Sequence, residues 1–214
     1  MTDAPLTDLR REYESRPLHR KDLADDPIEQ FREWFQAVLK LDLPDPNAMF
    51  LATATPTGSP SIRTVLLKDF NGEGFVFFTN YESRKGIELA ANPRASLLFY
   101  WAAFNRQVRI EGPVERVPRS VSEDYFARRP YRSRIAAFVS RQSHKIDSRG
   151  ELEKQVREAE TRFRPDTLPT PEQWGGYRLE PEQFEFWQGQ RDRLHDRFLY
   201  QRDGERWTIQ RLAP

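Results

Sequence analysis

The chain has 214 residues, with 34 Lys+Arg against 33 Asp+Glu for a formal net charge of +1, and no cysteine. That length suits one domain, or one domain with a terminal extension. The missing cysteines exclude disulfides, thiolate metal sites, iron–sulfur clusters and cysteine nucleophiles, and the balanced charge argues against a general nucleic-acid binder.

Residues 1–26 are polar and charged and read as a mobile N-terminal arm, leaving residues 27–214 as the main domain. Met1–Asp8 is acidic with no apolar core, so no signal peptide is expected, and no apolar run approaches the roughly 20 residues of a membrane span. A soluble, cytoplasmic protein is the expectation. Asp26-Pro27 starts a helix, with Pro in its first turn and Ile28, Phe31, Phe35, Val38 and Leu39 at helical spacing; Leu43-Pro-Asp-Pro46 stops it.

A strand-rich block follows. Residues 48–55 and 61–70 flank the turn Pro56–Pro60, and Asn71-Gly72 turns the chain into a strand over 74–79. Residues 83–91 read as a short helix capped by Ser83 and ended by Asn92-Pro93. Strands are expected over 95–103 and 107–117. Three helices come next: one capped by Ser120 or Ser122 and running to Arg128 or Arg129, then 133–140 and 148–162. A strand from Tyr177 continuing through Glu185–Trp187, and a hairpin of 197–201 with 207–212 across Asp203-Gly204, close the chain. Antiparallel strands with inserted helices predict an α+β, mainly β fold, a small barrel with peripheral helices.

Three groups of residues carry candidate chemistry. In Arg193-Leu-His-Asp-Arg197 an extended chain puts Arg193, His195 and Arg197 on one face, which suits either an anion between them or a solvated edge strand answered by Asp192 and Asp196. Arg84 and Lys85 open the 83–91 helix, where basic side chains oppose the helix dipole unless an anion compensates. Arg63 and Lys68 stand nearby in sequence, but strict alternation sends them to opposite faces, so they share a ligand only if the strand ends or bulges before Lys68. Tyr125, Arg129 and Ser133 can converge as a phosphate grip, although a Tyr–Arg pair at i, i+4 also stacks for stability alone. His19, His144 and His195 are the only histidines and none has a partner at metal-ligand spacing, so no metal is expected and redox chemistry falls to an organic cofactor. Trp101, Trp174 and Trp207 read as core or interface. Dinucleotide fingerprints, phosphate-binding loops and nucleophile elbows are missing.

Phe186-Trp-Gln-Gly189, Arg193-Leu-His-Asp-Arg-Phe-Leu-Tyr200 and Arg211-Leu-Ala-Pro214 resemble the pyridoxamine/pyridoxine 5′-phosphate oxidase family. So do Arg63–Lys68, Ser83-Arg-Lys85, Arg106-Gln-Val108, Gln142-Ser143 and Trp174-Gly-Gly176, and the likeness runs from about Leu9 to the C-terminus. The resemblance implies an FMN-binding split β-barrel homodimer with FMN at the subunit interface. Its activity would be oxidation of pyridoxamine or pyridoxine 5′-phosphate to pyridoxal 5′-phosphate, a step of vitamin B6 biosynthesis or salvage, with oxygen reduced to hydrogen peroxide. By the same resemblance the strand Arg63, Thr64, Val65, Leu66, Leu67 and Lys68 binds FMN together with Arg84, Lys85 and Ser143. Phe78, Thr79, Gln107, Gln142, Trp187 and Arg197 complete that site. Lys68, Tyr125, Arg129 and Ser133 take the substrate phosphate. Arg193, Leu194 and His195 meet the pyridine ring, with Arg193 and His195 catalytic. Arg10, Arg11, Glu12 and Tyr13 match a second product site. Phe78 stands where relatives often have Tyr, and Gln190-Arg-Asp192 varies in the loop before Arg193. The alternatives are a related split-barrel flavin oxidase with another substrate, or a non-catalytic flavin or pyridoxal-phosphate carrier. No nucleic-acid or membrane partner is implied.

Overall fold

The computed structural model describes Thr7 and residues 11–214; Arg10 of the expected second product site lies outside the described residues. Among the described residues there are ten strands and five α-helices, with the strand pairings antiparallel in both units, so the mainly β class read from the sequence is the one observed. None of these helices is long and apolar enough to cross a membrane. The chain divides into two compact units, residues 1–46, 97–110 and 182–214, and residues 47–96 and 111–181.

In the first unit, helix α1 (Pro27–Leu39) begins as its sequence predicts, with the Asp26 side chain accepting from the Ile28 N–H and Pro27 at the first position. It buries Phe31, Trp34, Phe35 and Val38. Strands β8 (Gln183–Gln188), β9 (Asp196–Asp203) and β10 (Arg206–Leu212) form an antiparallel meander. Its period of two sends Phe184, Phe186, Phe198 and Tyr200 into the core, where Phe186 meets Trp34 edge-on at 5.3 Å. Glu185, Trp187 and Arg197 share the opposite face. Residues 11–26 run along this unit: Leu18 and Leu23 are buried, and the Leu18 N–H donates to Asp196.

In the second unit, β1 (Ala48–Ala54) pairs with β2 (Pro60–Leu66), and β3 (Asp69–Asn71), β4 (Gly74–Asn80) and β7 (Trp174–Leu179) form a further antiparallel set. Helix α2 (Arg84–Ala91) follows β4, and Ser83 caps it through Gly86 N. Gly86 is required there by space, since a Cβ would lie 2.1 Å from the Tyr81 carbonyl oxygen. β5 (Arg94–Trp101) and β6 (Arg106–Arg116) each pass from one unit to the other. Helices α3 (Arg119–Arg128), α4 (Tyr131–Val139) and α5 (Arg149–Arg162) then bury Phe126, Ile135 and Ala159 around Trp174.

Four expectations need correction. The strand expected over 61–70 breaks after Leu66, because Leu67 N turns to Asn47 O and Lys68 N to Val76 O. The strand expected from Tyr177 through Trp187 is two strands, interrupted at Glu180-Pro-Glu182, where Pro181 lacks the N–H a continuous ladder needs. Neither Ser120 nor Ser122 caps α3: Pro118 precedes it, and buried Ser122 instead accepts from Gly176 N at 3.1 Å. Residues 191–193 form a tight turn with Asp192 and Arg193 at φ +55° and +62°, so Arg193 and Leu194 precede the strand. Period-two alternation therefore does not put Arg193 on a face with Arg197.

Candidate active site

A cavity of about 750 Å³ opens in the second unit, within the usual range for small-ligand sites. β2 contributes Arg63, Thr64, Val65 and Leu66, and the break after Leu66 brings Lys68 to the same wall. β4 adds Phe78, Thr79 and Asn80, α2 adds Lys85, and the α3–α4 corner adds Tyr125, Arg129, Pro130 and Ser133. Gln142 and Trp174 close it. The lining holds four cationic side chains, Arg63, Lys68, Lys85 and Arg129, and no carboxylate. A surface of that sign attracts anions.

Lys85 is buried, and its ammonium donates to Thr79 Oγ1 at 3.0 Å, Ser83 Oγ at 3.1 Å and Gln142 Oε1 at 2.7 Å. All three partners are neutral, so its hydrogen bonds are satisfied but its charge is not. Burial, reinforced by the nearby Arg63 charge, pushes Lys85 down to about 8. An anion entering beside it would relieve both effects. The cation at the second position of α2 therefore turns inward.

Arg63 faces an acceptor set of its own. Nη1 donates to Leu51 O at 3.0 Å and Thr53 Oγ1 at 2.6 Å, and Nη2 donates to Ser61 Oγ and to Glu88 Oε2 at 3.4 Å. Glu88 is buried on α2 and also accepts from Arg84 Nε at 2.8 Å. Burial alone would raise its carboxyl, but hydrogen bonds from Ser61, Thr53 and Arg84 outweigh that and hold it at about 2. Arg84 is exposed and does not line the cavity, nor does buried Leu67; Ser143, at φ +73°, lies on the exposed loop after Gln142.

At the other end of the cavity the rings of Phe78, Tyr125 and Trp174 lie nearly parallel, Phe78 to Tyr125 at 4.1 Å and Phe78 to Trp174 at 5.4 Å. Gly176 permits this, because a Cβ there would sit 2.8 Å from the Phe78 ring. The Arg129 guanidinium stacks over Trp174 at 4.9 Å, and its buried Nη1 has no hydrogen-bond partner among the described residues. Burial lowers the pKa of Arg129, with Tyr125 opposing. An orphaned, desolvated cationic donor in a cavity wall is the local signature of a missing anion. Arg119 sets the position of Trp174 by donating to Pro171 O at 3.0 Å and Trp174 O at 3.1 Å.

The remaining expected residues, Gln107, Trp187, Arg193, Leu194, His195 and Arg197, all belong to the first unit. On the face of β8 and β9 opposite the core phenylalanines, Arg197 Nε donates to buried Glu185 Oε1 at 2.8 Å, and Arg109 Nη2 lies 2.8 Å from Glu185 Oε2. Gln107 shares the Arg109 face of β6 by alternation. His195 packs on Trp187 at 4.7 Å, and its Nδ1 accepts from Gln190 N at 3.1 Å. An accepting Nδ1 carries no proton, so the ring is the neutral tautomer protonated on Nε2. Burial, then the Arg193 charge, lower its pKa against Asp196, in the same sense. Arg193 and Leu194 are exposed. Tyr13 stands edge-on to Trp187 at 5.8 Å and to His195 at 5.6 Å, Arg11 donates to Asn105 Oδ1 at 2.9 Å, and Glu12 accepts from Asp192 N at 3.4 Å.

Comparison with known proteins gives two family matches: Pyridoxamine 5′-phosphate oxidase over residues 31–163, and Pyridoxine 5′-phosphate oxidase C-terminal dimerisation region over residues 174–214. The chain belongs to the pyridoxamine 5′-phosphate oxidase family. Its split β-barrel class with peripheral helices follows. The chain is 53% identical over 209 residues to the pyridoxine/pyridoxamine 5′-phosphate oxidase of Rubrobacter xylanophilus, covering 98% of this chain and 96% of that one. It is 52% identical over 212 residues to the oxidase of the same name from Burkholderia lata, covering 98% and 99%. Among solved structures it is similar to PhzG from Burkholderia lata 383 in complex with tetrahydrophenazine-1-carboxylic acid. That likeness has a TM-score of 0.86 and 32% identity, covering 94% of this chain and 99% of that one.

Several residues of these two clusters escape a reading of the sequence. Glu88 is visible only as the i+4 partner of Arg84, a pair that is usually a surface ornament. Glu185 sits between Phe184 and Phe186 with nothing in the sequence to mark it as the shared partner of two arginines. Trp174, expected in the core or at an interface, is buried and also lines the cavity.

Proposed function

We propose that the chain is an FMN-dependent oxidase of pyridoxamine 5′-phosphate or pyridoxine 5′-phosphate, producing pyridoxal 5′-phosphate. The observation that carries this is the carboxylate-free cavity lined by four cations, which we divide into Arg63 with Lys85, whose charges act on each other, and Lys68 with Arg129, both beside Tyr125. Two phosphorylated ligands, one a cofactor and one a substrate, suit that division. Lys85, Arg63, Thr79 and Gln142 hold the FMN phosphate and its ribityl chain, and the Thr64–Leu66 strand edge and Phe78 flank it. Lys68, Tyr125, Arg129 and Ser133 grip the substrate phosphate, where the unpartnered Nη1 of Arg129 awaits an oxygen. On the first unit, Gln107, Trp187 and Arg197 would serve the flavin, and Arg193, Leu194 and His195 the pyridine ring.

When bound, the flavin accepts the two electrons taken from the substrate carbon and passes them to oxygen, giving hydrogen peroxide. The protein's part is positioning and charge. Arg193, presented on a turn held at positive φ, places a fixed cation against the ring. Neutral His195, with its proton on Nε2, is a donor to a ring oxygen. The matched dimerisation region supports a homodimer.

The likeness to PhzG supports a second reading, a substrate of the kind named with that structure. Within Burkholderia lata the chain is 52% identical to the vitamin B6 oxidase and 32% to PhzG, which favours the phosphate ester. Turnover should be measured with pyridoxine 5′-phosphate, unphosphorylated pyridoxine and tetrahydrophenazine-1-carboxylic acid side by side. Preference for the phosphate ester is expected; turnover of the tricyclic acid alone would replace this reading with the second.

A further inference from the structure

We propose that Glu88 is a positioning residue for cofactor binding, one buried carboxylate that holds Arg63 in the orientation that receives the FMN phosphate and ties Arg84 down at the start of α2. The inference rests on the FMN reading above and assigns a role to a residue that does not line the cavity described above.

Each carboxylate oxygen has its own arginine. Oε1 accepts from Arg84 Nε at 2.8 Å, and Oε2 lies 3.4 Å from Arg63 Nη2. Oε2 also accepts from Thr53 and, at 2.5 Å, from Ser61. Those two hydroxyls in turn accept from Arg63, Thr53 from Nη1 and Ser61 from Nη2. A hydroxyl has one proton to give. Because both protons are committed to Glu88, both hydroxyls are left as acceptors, and the direction of the whole relay is set by the carboxylate.

The consequence for Arg63 is geometric. Four of its five N–H donors are spent on Leu51 O, Thr53, Ser61 and Glu88, which leaves Nε–H as the one remaining donor on an immobilised charge. Without the anion Arg63 would lose its bond to Glu88, and the Thr53 and Ser61 hydroxyls, no longer committed to the carboxylate, would be free to turn away from their accepting orientation. Among the described residues Arg84 has no other anchor: its side chain is 61% exposed and its ion pair with Glu88 fixes it at the start of α2, beside Lys85. One carboxylate thus orders two cations. It does so from α2 itself, so the helix that carries Lys85 and Arg84 also carries their organiser.

The test is the affinity of flavin-free protein for FMN and for riboflavin, which lacks the phosphate, in wild type and Glu88→Gln. Glutamine keeps the shape but removes the charge and reverses one donor. The expected result is a fall of about tenfold or more in the FMN-to-riboflavin affinity ratio, carried by FMN alone. An unchanged ratio, tighter FMN binding, or an equal loss for both flavins overturns the proposal, the last because it marks a purely structural role. Should Glu88→Gln fail to fold, Thr53→Val with Ser61→Ala removes the two hydroxyl bridges and is read on the same ratio. A wild type that binds FMN no better than riboflavin would instead refute the FMN-phosphate reading on which the inference stands.

Discussion

Removing the Lys85 ammonium as Lys85→Met should separate two effects that share one side chain. In the wild type the buried ammonium, depressed from 10.5 to about 8, meets three neutral oxygens and no anion. With FMN present, a charge-assisted bond to phosphate is worth about 1.5–3 kcal/mol, so the substitution should weaken FMN binding about 10- to 150-fold near neutral pH. Wild-type affinity should also fall as pH rises above 8, by up to about tenfold per pH unit, since the phosphate stays ionised while Lys85 loses its proton. Lys85→Met should show no such fall. The flavin-free protein behaves oppositely. The folded value lies below the unfolded one, so between about 8 and 10.5 the unfolded chain binds more protons and stability rises with pH. A fall from 10.5 to about 8 corresponds to about 3.4 kcal/mol, which screening by water at the cavity mouth reduces to about 1–2 kcal/mol. Flavin fluorescence titrations between about pH 7 and 9.5, paired with denaturant unfolding of the flavin-free protein, measure both. Wild-type FMN affinity that stays flat over that range, or Lys85→Met that binds FMN like wild type, would refute the reasoning.

Arg129→Leu should raise KM for pyridoxine 5′-phosphate by about tenfold or more while leaving FMN affinity unchanged; steady-state kinetics and flavin titration check this, and the reverse pattern would exchange the two phosphate sites. Gly86→Ala should destabilise by about 1–3 kcal/mol and lower Tm by several degrees, because its Cβ would lie 2.1 Å from the Tyr81 carbonyl oxygen and α2 cannot yield without moving Lys85 and Glu88. A thermal melt superimposing on wild type would show that α2 is less tightly seated than the contact implies.

Local chemistry made much of the fold legible. Asp26-Pro27 and Ser83 announce their helices through capping groups that need no tertiary context, and the alternation of Phe184, Phe186, Phe198 and Tyr200 marks a buried strand face. Where long-range partners decide, the sequence is silent. Ser61–Phe70 has the composition of one strand, and only the hydrogen bonds of Leu67 to Asn47 and Lys68 to Val76 break it and bring Lys68 to the cavity. The turn at Asp192-Arg193 puts two ordinary residues at positive φ, a conformation that composition assigns to glycine or asparagine. Arg63, Lys85 and Arg129 could be picked out as cations, but not that one would be organised by Glu88, one left beside neutral oxygens and one orphaned over Trp174.

The most direct test of the central claim is the absorption spectrum of the purified protein before and after anaerobic pyridoxine 5′-phosphate. A yellow protein that bleaches and recovers in air as pyridoxal 5′-phosphate forms is the predicted result. A yellow protein that stays yellow would leave the cofactor but contradict the substrate. A colourless one that FMN cannot reconstitute would contradict the account at its base.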